Sequence, residues 1–185
     1  MKQRKTIRLS GYDYSTDNLY FITSCVQNRI CCFGEIHNAT DPVLGTGRDP
    51  SPGQIMILNN YGEIAEKQWY WLSEQYPYVI LHAFVVMPNH IHGIIEINRR
   101  DPSLPRQIKI KSLSELMGAY KTTVSKQIHL AGYKEFTWQR SFYDCIIRNE
   151  KSFKTISEYI NANPLKWKED NLYYQRRHLA SDSKN

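Results

Sequence analysis

The stretch Ala83-Phe-Val-Val-Met-Pro-Asn-His-Ile-His-Gly-Ile-Ile-Glu-Ile97 decides the fold of this chain. Its pattern predicts two apolar strands joined by a turn at Pro88, since proline cannot donate a hydrogen bond within a central strand pair. His90 and His92 both belong to the second strand. Because alternate strand side chains point to the same face, we expect the two imidazoles on one face and Ile91 on the other. Two neutral imidazoles side by side form half of a binding site for a divalent metal.

Hydrophobic patterning on both sides of this hairpin predicts five further elements. Leu19 to Val26 is rich in aromatic and β-branched residues and favours a first strand. One helix is predicted to begin at Asn60, and another follows Ser112-Leu-Ser-Glu115, which has the form of a capping box. The segment 136–147 has the composition of extended chain, and a last helix is predicted from about Asn149 to Asn163.

The order of these elements is β, α, β, β, α, β, α, with the hairpin strands at 79–86 and 90–97. That order is typical of a split βαβ, ferredoxin-like α+β sandwich, in which an antiparallel sheet carries helices on one face. Here a C-terminal helix is added. At 185 residues the chain is expected to form a single domain, 1–185, with an inserted loop or arm at 38–53 and a basic tail at 168–185.

Composition limits the class of protein. The chain is 41% hydrophobic and 23% charged, which is typical of a folded domain rather than a disordered one. Lys and Arg outnumber Asp and Glu by 24 to 18, an excess that suits a polyanionic partner. The N-terminus has no secretory pattern, and no stretch approaches the roughly 20 apolar residues of a membrane span. We therefore expect a cytoplasmic, nucleoid-associated protein without a membrane partner.

The histidine pair needs at least one more ligand. Glu96 has the same strand parity, but four residues of strand place it about 13 Å from His92. His82 lies on the other hairpin strand. An isolated histidine there is more often packed or hydrogen-bonded than a metal ligand. The last helix offers Tyr159 and Asn163, which are four residues apart and so project from one helix face. The neighbouring apolar stripe that would dock this helix on the sheet consists of Phe153, Ile156 and Ile160.

The ordered set of motifs resembles the single-tyrosine HUH transposases, whose name stands for His, hydrophobic residue, His. The motifs are Met87-Pro-Asn-His-Ile-His-Gly-Ile-Ile95, Trp138-Gln139, Phe142-Tyr-Asp144 with Ile147-Arg148, and Tyr159-Ile-Asn-Ala-Asn-Pro164. The branch they resemble most is that of the REP-associated tyrosine transposases and their insertion-sequence relatives in bacteria. The resemblance extends from Leu19 to about Trp167 and leaves out the arm and the termini.

This resemblance implies a metal-dependent DNA nuclease and strand transferase. His90, His92 and Asn163 would hold Mg²⁺ or Mn²⁺, and Tyr159 would attack the scissile phosphate of single-stranded or hairpin DNA. The product would be a covalent 5′-phosphotyrosine and a free 3′ hydroxyl. Where many relatives carry Gln at the third ligand position, this chain has Asn, in the manner of the REP-associated branch. The resemblance leaves open whether the protein is a monomer or a homodimer.

Elementary chemistry agrees with these parts. A phenol with a pKa near 10 is a weak nucleophile at neutral pH, and a divalent cation beside the phosphate can act as a Lewis acid. Two imidazoles and an amide carry no negative charge, so Mg²⁺ is expected to bind weakly without the phosphate. We therefore expect the DNA-free protein to be metal-free or to carry Mn²⁺ or Ni²⁺, which imidazole suits better.

Basic and aromatic side chains are the predicted DNA contacts, although any single one could be a solvated surface residue. Tyr143 is also a rival nucleophile, ranked after Tyr159, and Tyr120 is ranked third as a core residue. The predicted contacts are Lys121, Lys126, Arg140, Arg148 and Tyr143.

Two other functions remain open at the level of sequence. One is a metallohydrolase that uses activated water for phosphoester chemistry. It would need more ligands, because position 94 is Ile where an HxHxD pattern requires Asp. The other is a catalytically idle, domesticated DNA-binding protein, since intact motifs do not prove turnover.

Overall fold

A computed structural model describes residues 13–38, 53–102, 104 and 107–173 of the chain. The central part of the predicted arm, 39–52, and the end of the predicted tail, 174–185, lie outside the described residues. Two short 3₁₀ helices cover Gln27–Arg29 and Pro164–Glu169. The other elements, in chain order, are β1 (Asn18–Cys25), β2 (Gly34–Asn38), β3 (Gln54–Leu58), α1 (Asn60–Gln75), β4 (Val79–Met87), β5 (His90–Ile97), α2 (Leu113–Leu130), β6 (Tyr143–Ile147) and α3 (Glu150–Ala162).

The main sheet has four strands in the order β4-β5-β1-β6, and every pairing in it is antiparallel. β4 and β5 form the predicted hairpin, in which Met87 pairs with His90 across the turn at Pro88. β1 lies beside β5 and places Cys25 opposite His90 and Thr23 opposite His92. The predicted α+β class and ferredoxin-like antiparallel sheet are therefore confirmed.

The sheet is covered by helices on both faces, and the strand period decides which residues meet which helix. On β5, Ile91 and Ile95 belong to the main core, which they share with α1 and α2. Ile94 points the other way and joins a smaller cluster with Ile160 of α3. His90 and His92 share the parity of Ile94, so they lie on the face that α3 covers. No helix within the described residues is long and apolar enough to cross a membrane.

Side-chain caps fix where the helices begin. α1 begins at Asn60 as predicted, and the Asn59 side chain caps it by accepting hydrogen bonds from the amides of Tyr61 and Gly62. The capping box of α2 is present as predicted, with Ser112 and Glu115 in reciprocal contact. Asn149 caps α3 through the amide of Ser152. These caps make the helix starts readable from the sequence.

Three segments differ from the prediction. β2 and β3, on the two sides of the predicted arm, pair with each other as a separate two-stranded sheet. Within 136–147 only β6 is a strand, and Trp138 makes an isolated bridge to Val26. α3 ends before Pro164 as expected, and Pro164 opens a 3₁₀ helix that buries Trp167. The carbonyl oxygens of Asn171 and Leu172 then accept hydrogen bonds from Arg29 and Asn89, so the start of the predicted tail contacts the domain.

Gly93 of β5 provides a test of the main core. A Cβ at this position would lie 2.4 Å from Cζ2 of Trp69, which is fully buried and stacks on Phe84 at 4.4 Å. We expect Gly93→Ala to lower the free energy of unfolding by about 1–3 kcal/mol, because the close-packed indole has no room to move. Urea unfolding followed by circular dichroism measures this change.

The matched control for Gly93→Ala is Gly118→Ala. A Cβ at Gly118, in the middle of α2, has no atom within 4 Å, and alanine is the better helix former. The control should be as stable as the parent chain or more so. Equal stability of the two variants would show that Trp69 is not packed against β5 as described.

Candidate functional site

His90 and His92 are buried side by side on the α3 face of the sheet. Their side chains are 0% and 2% exposed, and the two Nε2 atoms lie 3.0 Å apart. Burial lowers the pKa of His92 to about 4 and the pKa of His90 well below its ordinary value, with the charge of His92 as a further cause for His90. Both imidazoles are therefore neutral at pH 7 and can act as ligands.

Asn89 sets the proton position on His90. The amide nitrogen Nδ2 of Asn89 donates to the carbonyl oxygens of Arg29 (3.2 Å) and Leu172 (3.0 Å). Its oxygen Oδ1 therefore faces Nδ1 of His90, at 2.7 Å, and can only accept. The proton of His90 must lie on Nδ1, which leaves a lone pair on Nε2 for a metal. Asn89 is fully buried, so this orientation is held by the fold.

Thr23 takes the corresponding position behind His92. Its hydroxyl Oγ1 lies 2.8 Å from Nδ1 of His92 across the β1–β5 pair. When this hydroxyl accepts from Nδ1, Nε2 of His92 also presents a lone pair, facing the one on His90. Two nitrogens at right angles around a metal, each about 2.1 Å from it, lie about 3 Å apart. The observed spacing of the Nε2 atoms therefore suits a shared cation.

Two buried oxygens without a donor complete the surroundings. Oδ2 of Asp170 lies 3.9 Å from Nε2 of His90, and its ligand atom and those of the two histidines all lie within 4.8 Å of one another. Neither this oxygen nor Oδ1 of Asn163, which is 3% exposed, has a hydrogen-bond partner within the described residues. Buried acceptors normally have a donor. The Asp170 oxygen lies beside the imidazole lone pairs, so two neutral nitrogens and a carboxylate oxygen form a donor set that fits a divalent cation.

Asp170 is the site residue that the sequence interpretation missed. It falls inside the segment predicted as a basic tail, and the turn that returns it to the sheet follows Pro164. The available signal was Trp167, a large aromatic residue between Lys166 and Lys168. Its side chain is buried in the structure, and its ring centroid lies 5.9 Å from that of His90. A buried anchor at this position brings the residues after it against the histidines.

Tyr159 projects from α3 toward the imidazoles. Its hydroxyl lies 3.3 Å from Nε2 of His92, and 45% of the side chain is exposed. Partial burial raises the pKa of its phenol, the charge of Asp170 raises it further, and a hydrogen bond from the Asn163 side chain lowers it. The structure thus places Tyr159 next to His92, and Asn163 next to Tyr159. The phenol is neutral at pH 7, so activation must come with bound ligands.

Two cavities flank α3 at its opposite ends. A cavity of about 460 Å³ opens beside Tyr159, Asn163 and Asp170. A larger one, of about 920 Å³, lies at the start of the helix, away from the tyrosine. His82 and Glu96 line the larger cavity and are 2.8 Å apart, so they pair with each other and take no part in the histidine site.

The predicted DNA contacts are divided between the two faces of the protein. Tyr143 is 43% exposed on β6, the edge strand of the α3 face, and Arg148 directly follows that strand. Arg140 is exposed in the segment that leads into β6. Lys126 is exposed on α2, behind the sheet. Tyr120 is fully buried with its hydroxyl donating to the carbonyl of Ala65, which removes it as a rival nucleophile.

Lys121 has a structural environment instead of the predicted solvent-facing one. Its ammonium donates to the carbonyl oxygen of Gln139 at 2.8 Å, with those of Arg140 and Ser141 at 3.5 and 3.4 Å, and burial lowers its pKa to about 8. We expect Lys121→Met to lower the free energy of unfolding by about 2 kcal/mol, because a charge-assisted hydrogen bond is lost.

Lys126→Met is the control for Lys121→Met, since Lys126 is exposed on the same helix. Its effect on the free energy of unfolding should stay within about 0.5 kcal/mol. Chemical unfolding of the two variants measures the difference. Unchanged stability of Lys121→Met, together with weaker DNA retention than Lys126→Met, would contradict the structural role.

Fold and site together define an α+β protein whose antiparallel sheet carries a two-histidine candidate metal centre beside an exposed tyrosine. A family model described as "Transposase IS200 like" matches residues 62–163. An uncharacterized protein of Haemophilus influenzae is 34% identical over 182 residues, which are 92% of this chain and 93% of that protein. A second protein of the same organism, named as a candidate REP-associated tyrosine transposase, is 22% identical over 161 residues, 85% of this chain and 77% of that protein.

A solved structure gives the corresponding comparison of folds. The structure of a REP-associated tyrosine transposase bound to a REP hairpin matches with a TM-score of 0.53 at 19% identity, covering 86% of this chain and 73% of that one. The chain belongs to the IS200-like transposase family, and the predicted resemblance is thereby confirmed. It is a DNA transposase by family, an enzyme that acts on DNA. The matched region contains the histidine pair, Tyr159 and Asn163, and ends before Asp170.

Proposed function

We propose that this transposase cleaves and joins single-stranded or hairpin DNA through a covalent 5′-phosphotyrosine on Tyr159. The observation that carries the proposal is the position of the Tyr159 hydroxyl, 3.3 Å from Nε2 of His92 in a buried pair of neutral imidazoles. A family that acts on DNA and a similar fold in a REP-associated transposase support the DNA substrate. The net charge of +6 suits the same partner.

The residues of the chain have distinct parts in this reaction. The phenol oxygen of Tyr159 forms a bond to the scissile phosphorus while the bond from phosphorus to the 3′ oxygen breaks. The phenol gives up its proton, and the departing 3′ oxygen takes one. Because the phosphodiester energy is kept in the tyrosine link, a 3′ hydroxyl can later attack that link and complete strand transfer without ATP. The exposed part of the Tyr159 side chain leaves the phenol accessible to the phosphate.

We propose Mg²⁺ or Mn²⁺ as the metal, held by His90, His92 and oxygens of Asp170 and Asn163. When bound, such an ion supplies Lewis acidity and neutralises charge on the phosphate. Asp170 adds the negative charge that the predicted ligand set lacked, so Mg²⁺ is better accommodated than the sequence alone suggests. The two imidazoles still favour Mn²⁺, which we expect to bind more tightly than Mg²⁺ in the absence of DNA.

Asp170→Asn tests the added ligand. The substitution removes the negative charge of the carboxylate beside the histidines. We expect the affinity for Mn²⁺ to fall by about tenfold or more, which is the usual effect of losing a residue that supports a metal site. Calorimetric titration of Mn²⁺ measures the affinity. Glu169→Gln is the matched control, because Glu169 is the adjacent carboxylate and is exposed. Equal Mn²⁺ affinity of the two variants would remove Asp170 from the metal centre.

The proposed function is tested with single-stranded DNA of randomised sequence, incubated with the protein and Mn²⁺. Complexes that survive denaturation in detergent are recovered and their DNA is sequenced, which also yields the substrate for later assays. Recovery of covalent complexes supports the tyrosine mechanism. Cleaved DNA without covalent complexes would favour the metallohydrolase, and retained but uncleaved DNA would favour the idle binding protein.

A further inference from the structure

The α3 face of the sheet is unevenly covered. α3 packs mainly on β4 and β5, which lie at one side of the sheet. The other half of this face is formed by β1 and the edge strand β6, where Tyr143 is 43% exposed and Cys145 is also exposed. A large aromatic side chain left open next to the proposed site of chemistry is not explained by packing of the core.

Phe21 of β1 connects this open half to the histidine site. Its ring stacks on His92, with centroids 5.5 Å apart and an interplanar angle of 26°. The same ring meets Tyr159 at 6.2 Å and 81°, and Tyr143 at 6.1 Å and 68°, both in edge-to-face geometry. Phe21 is half-buried, so it forms a floor between two exposed tyrosines. Tyr159 is the proposed nucleophile, and Tyr143 is both a predicted DNA contact and the rival nucleophile.

The surface beyond Tyr143 has the chemistry of a nucleotide contact. A depression of about 390 Å³ begins at Tyr143 and is also lined by Arg148, Asn149, Ser152 and the largely buried Asp144. A guanidinium can bind a phosphate, and amide and hydroxyl groups can bind base edges or sugar oxygens. On the other side of Tyr159, Asn163 and Asp170 line the cavity of about 460 Å³ beside the histidines. A strand that leaves Tyr159 in the opposite direction passes over Phe21 and reaches Tyr143 on β6.

We propose that Tyr143 stacks on a DNA base next to the scissile phosphate, with Phe21 supporting its ring and Arg148 binding a neighbouring phosphate. This inference rests on the proposed function, because attack by Tyr159 fixes where the scissile phosphate lies. Base stacking on an aromatic ring tolerates any sequence and is a common way to hold single strands. Tyr143 is then a residue that binds the substrate, not a second nucleophile.

The experiment measures single-turnover formation of the covalent complex with the DNA recovered above, placing an abasic site at each position around the cleavage point in turn. Tyr143→Ala is expected to slow the reaction about tenfold or more on intact DNA. At one abasic position the parent protein should be slowed by a similar factor, and Tyr143→Ala should add nothing further. Tyr143→Phe keeps the aromatic face and should react at the parent rate.

Tyr70→Ala is the matched control for loss of an exposed tyrosine. Tyr70 is 53% exposed on α1, behind the sheet, and makes one edge-to-face contact with Phe84 at 6.5 Å. Tyr70→Ala should form the covalent complex at the parent rate. Thermal unfolding should show that Tyr70→Ala and Tyr143→Ala are both folded. Equal rates of Tyr143→Ala and Tyr70→Ala, or effects that multiply at every abasic position, would overturn the stacking role while leaving the proposed function standing. Absence of any covalent complex with the parent protein would overturn both.

Discussion

Tyr159→Phe is expected to abolish the covalent complex between protein and DNA, with a loss of at least about a thousandfold in rate. The substitution removes only the oxygen that would attack the phosphorus. The phenyl ring keeps its edge-to-face contact with Phe21 and its contact with the His92 ring at 5.3 Å, so α3 should remain docked. Detergent-stable complexes with labelled DNA measure the effect.

Two observations control the Tyr159→Phe experiment. Gel-shift affinity for DNA should stay close to that of the parent protein, since binding does not require the phenol oxygen. Tyr143→Phe should form the complex normally, although Tyr143 is the rival nucleophile of the sequence interpretation. Undiminished complex in Tyr159→Phe would assign the attack to another residue, and continued cleavage without any complex would favour activated water.

His90→Ala is expected to lower Mn²⁺ affinity by about a hundredfold or more and to reduce formation of the covalent complex correspondingly, because the pair loses one of its two nitrogens. Calorimetry measures the Mn²⁺ affinity, and single-turnover assays measure formation of the covalent complex. The substitution also leaves Oδ1 of Asn89 without its imidazole partner, so some loss of stability is expected as well.

A second variant separates ligand loss from unfolding. His92→Gln keeps a side-chain amide near Thr23 while removing the ring nitrogen that faces His90. It should show the same losses with a smaller effect on thermal stability. His82→Ala is the control, since His82 lies in the neighbouring strand and pairs with Glu96 outside the site. Equal metal affinity of His90→Ala and His82→Ala would contradict the candidate metal centre.

The parts of this site that the sequence predicts are those that follow a short period. Strand alternation places both imidazoles on one face, whatever the rest of the chain does. Helical spacing places Tyr159 and Asn163 on one face of α3, and the apolar stripe of Phe153, Ile156 and Ile160 chooses the side that packs. Ile160 is fully buried against Ile94, the residue two positions beyond His92. These local rules are enough to predict that Tyr159, the proposed nucleophile, lies near the imidazoles.

The parts that sequence reasoning missed depend on contacts between distant segments. Asp170 reaches His90 because a 3₁₀ helix after Pro164 buries Trp167, and no periodic pattern marks so short an element. The spacing of apolar residues along α2 predicts that Lys121 is on the surface. In the structure its ammonium donates to the carbonyl oxygen of Gln139, in the segment before β6. β2 and β3 are only five residues each and are separated by a segment rich in Gly and Pro. Their pairing was not predicted because nothing in this segment indicates a hairpin turn.

The covalent mechanism is tested most directly by identifying the residue that carries the DNA. Covalent complexes formed with Mn²⁺ are digested with nuclease and protease, and the peptides that retain a nucleotide are sequenced by mass spectrometry. We expect a phosphodiester-linked nucleotide on Tyr159, attached through its 5′ phosphate. A nucleotide on Tyr143 or on any other residue would contradict this mechanism, and so would linkage through a 3′ phosphate.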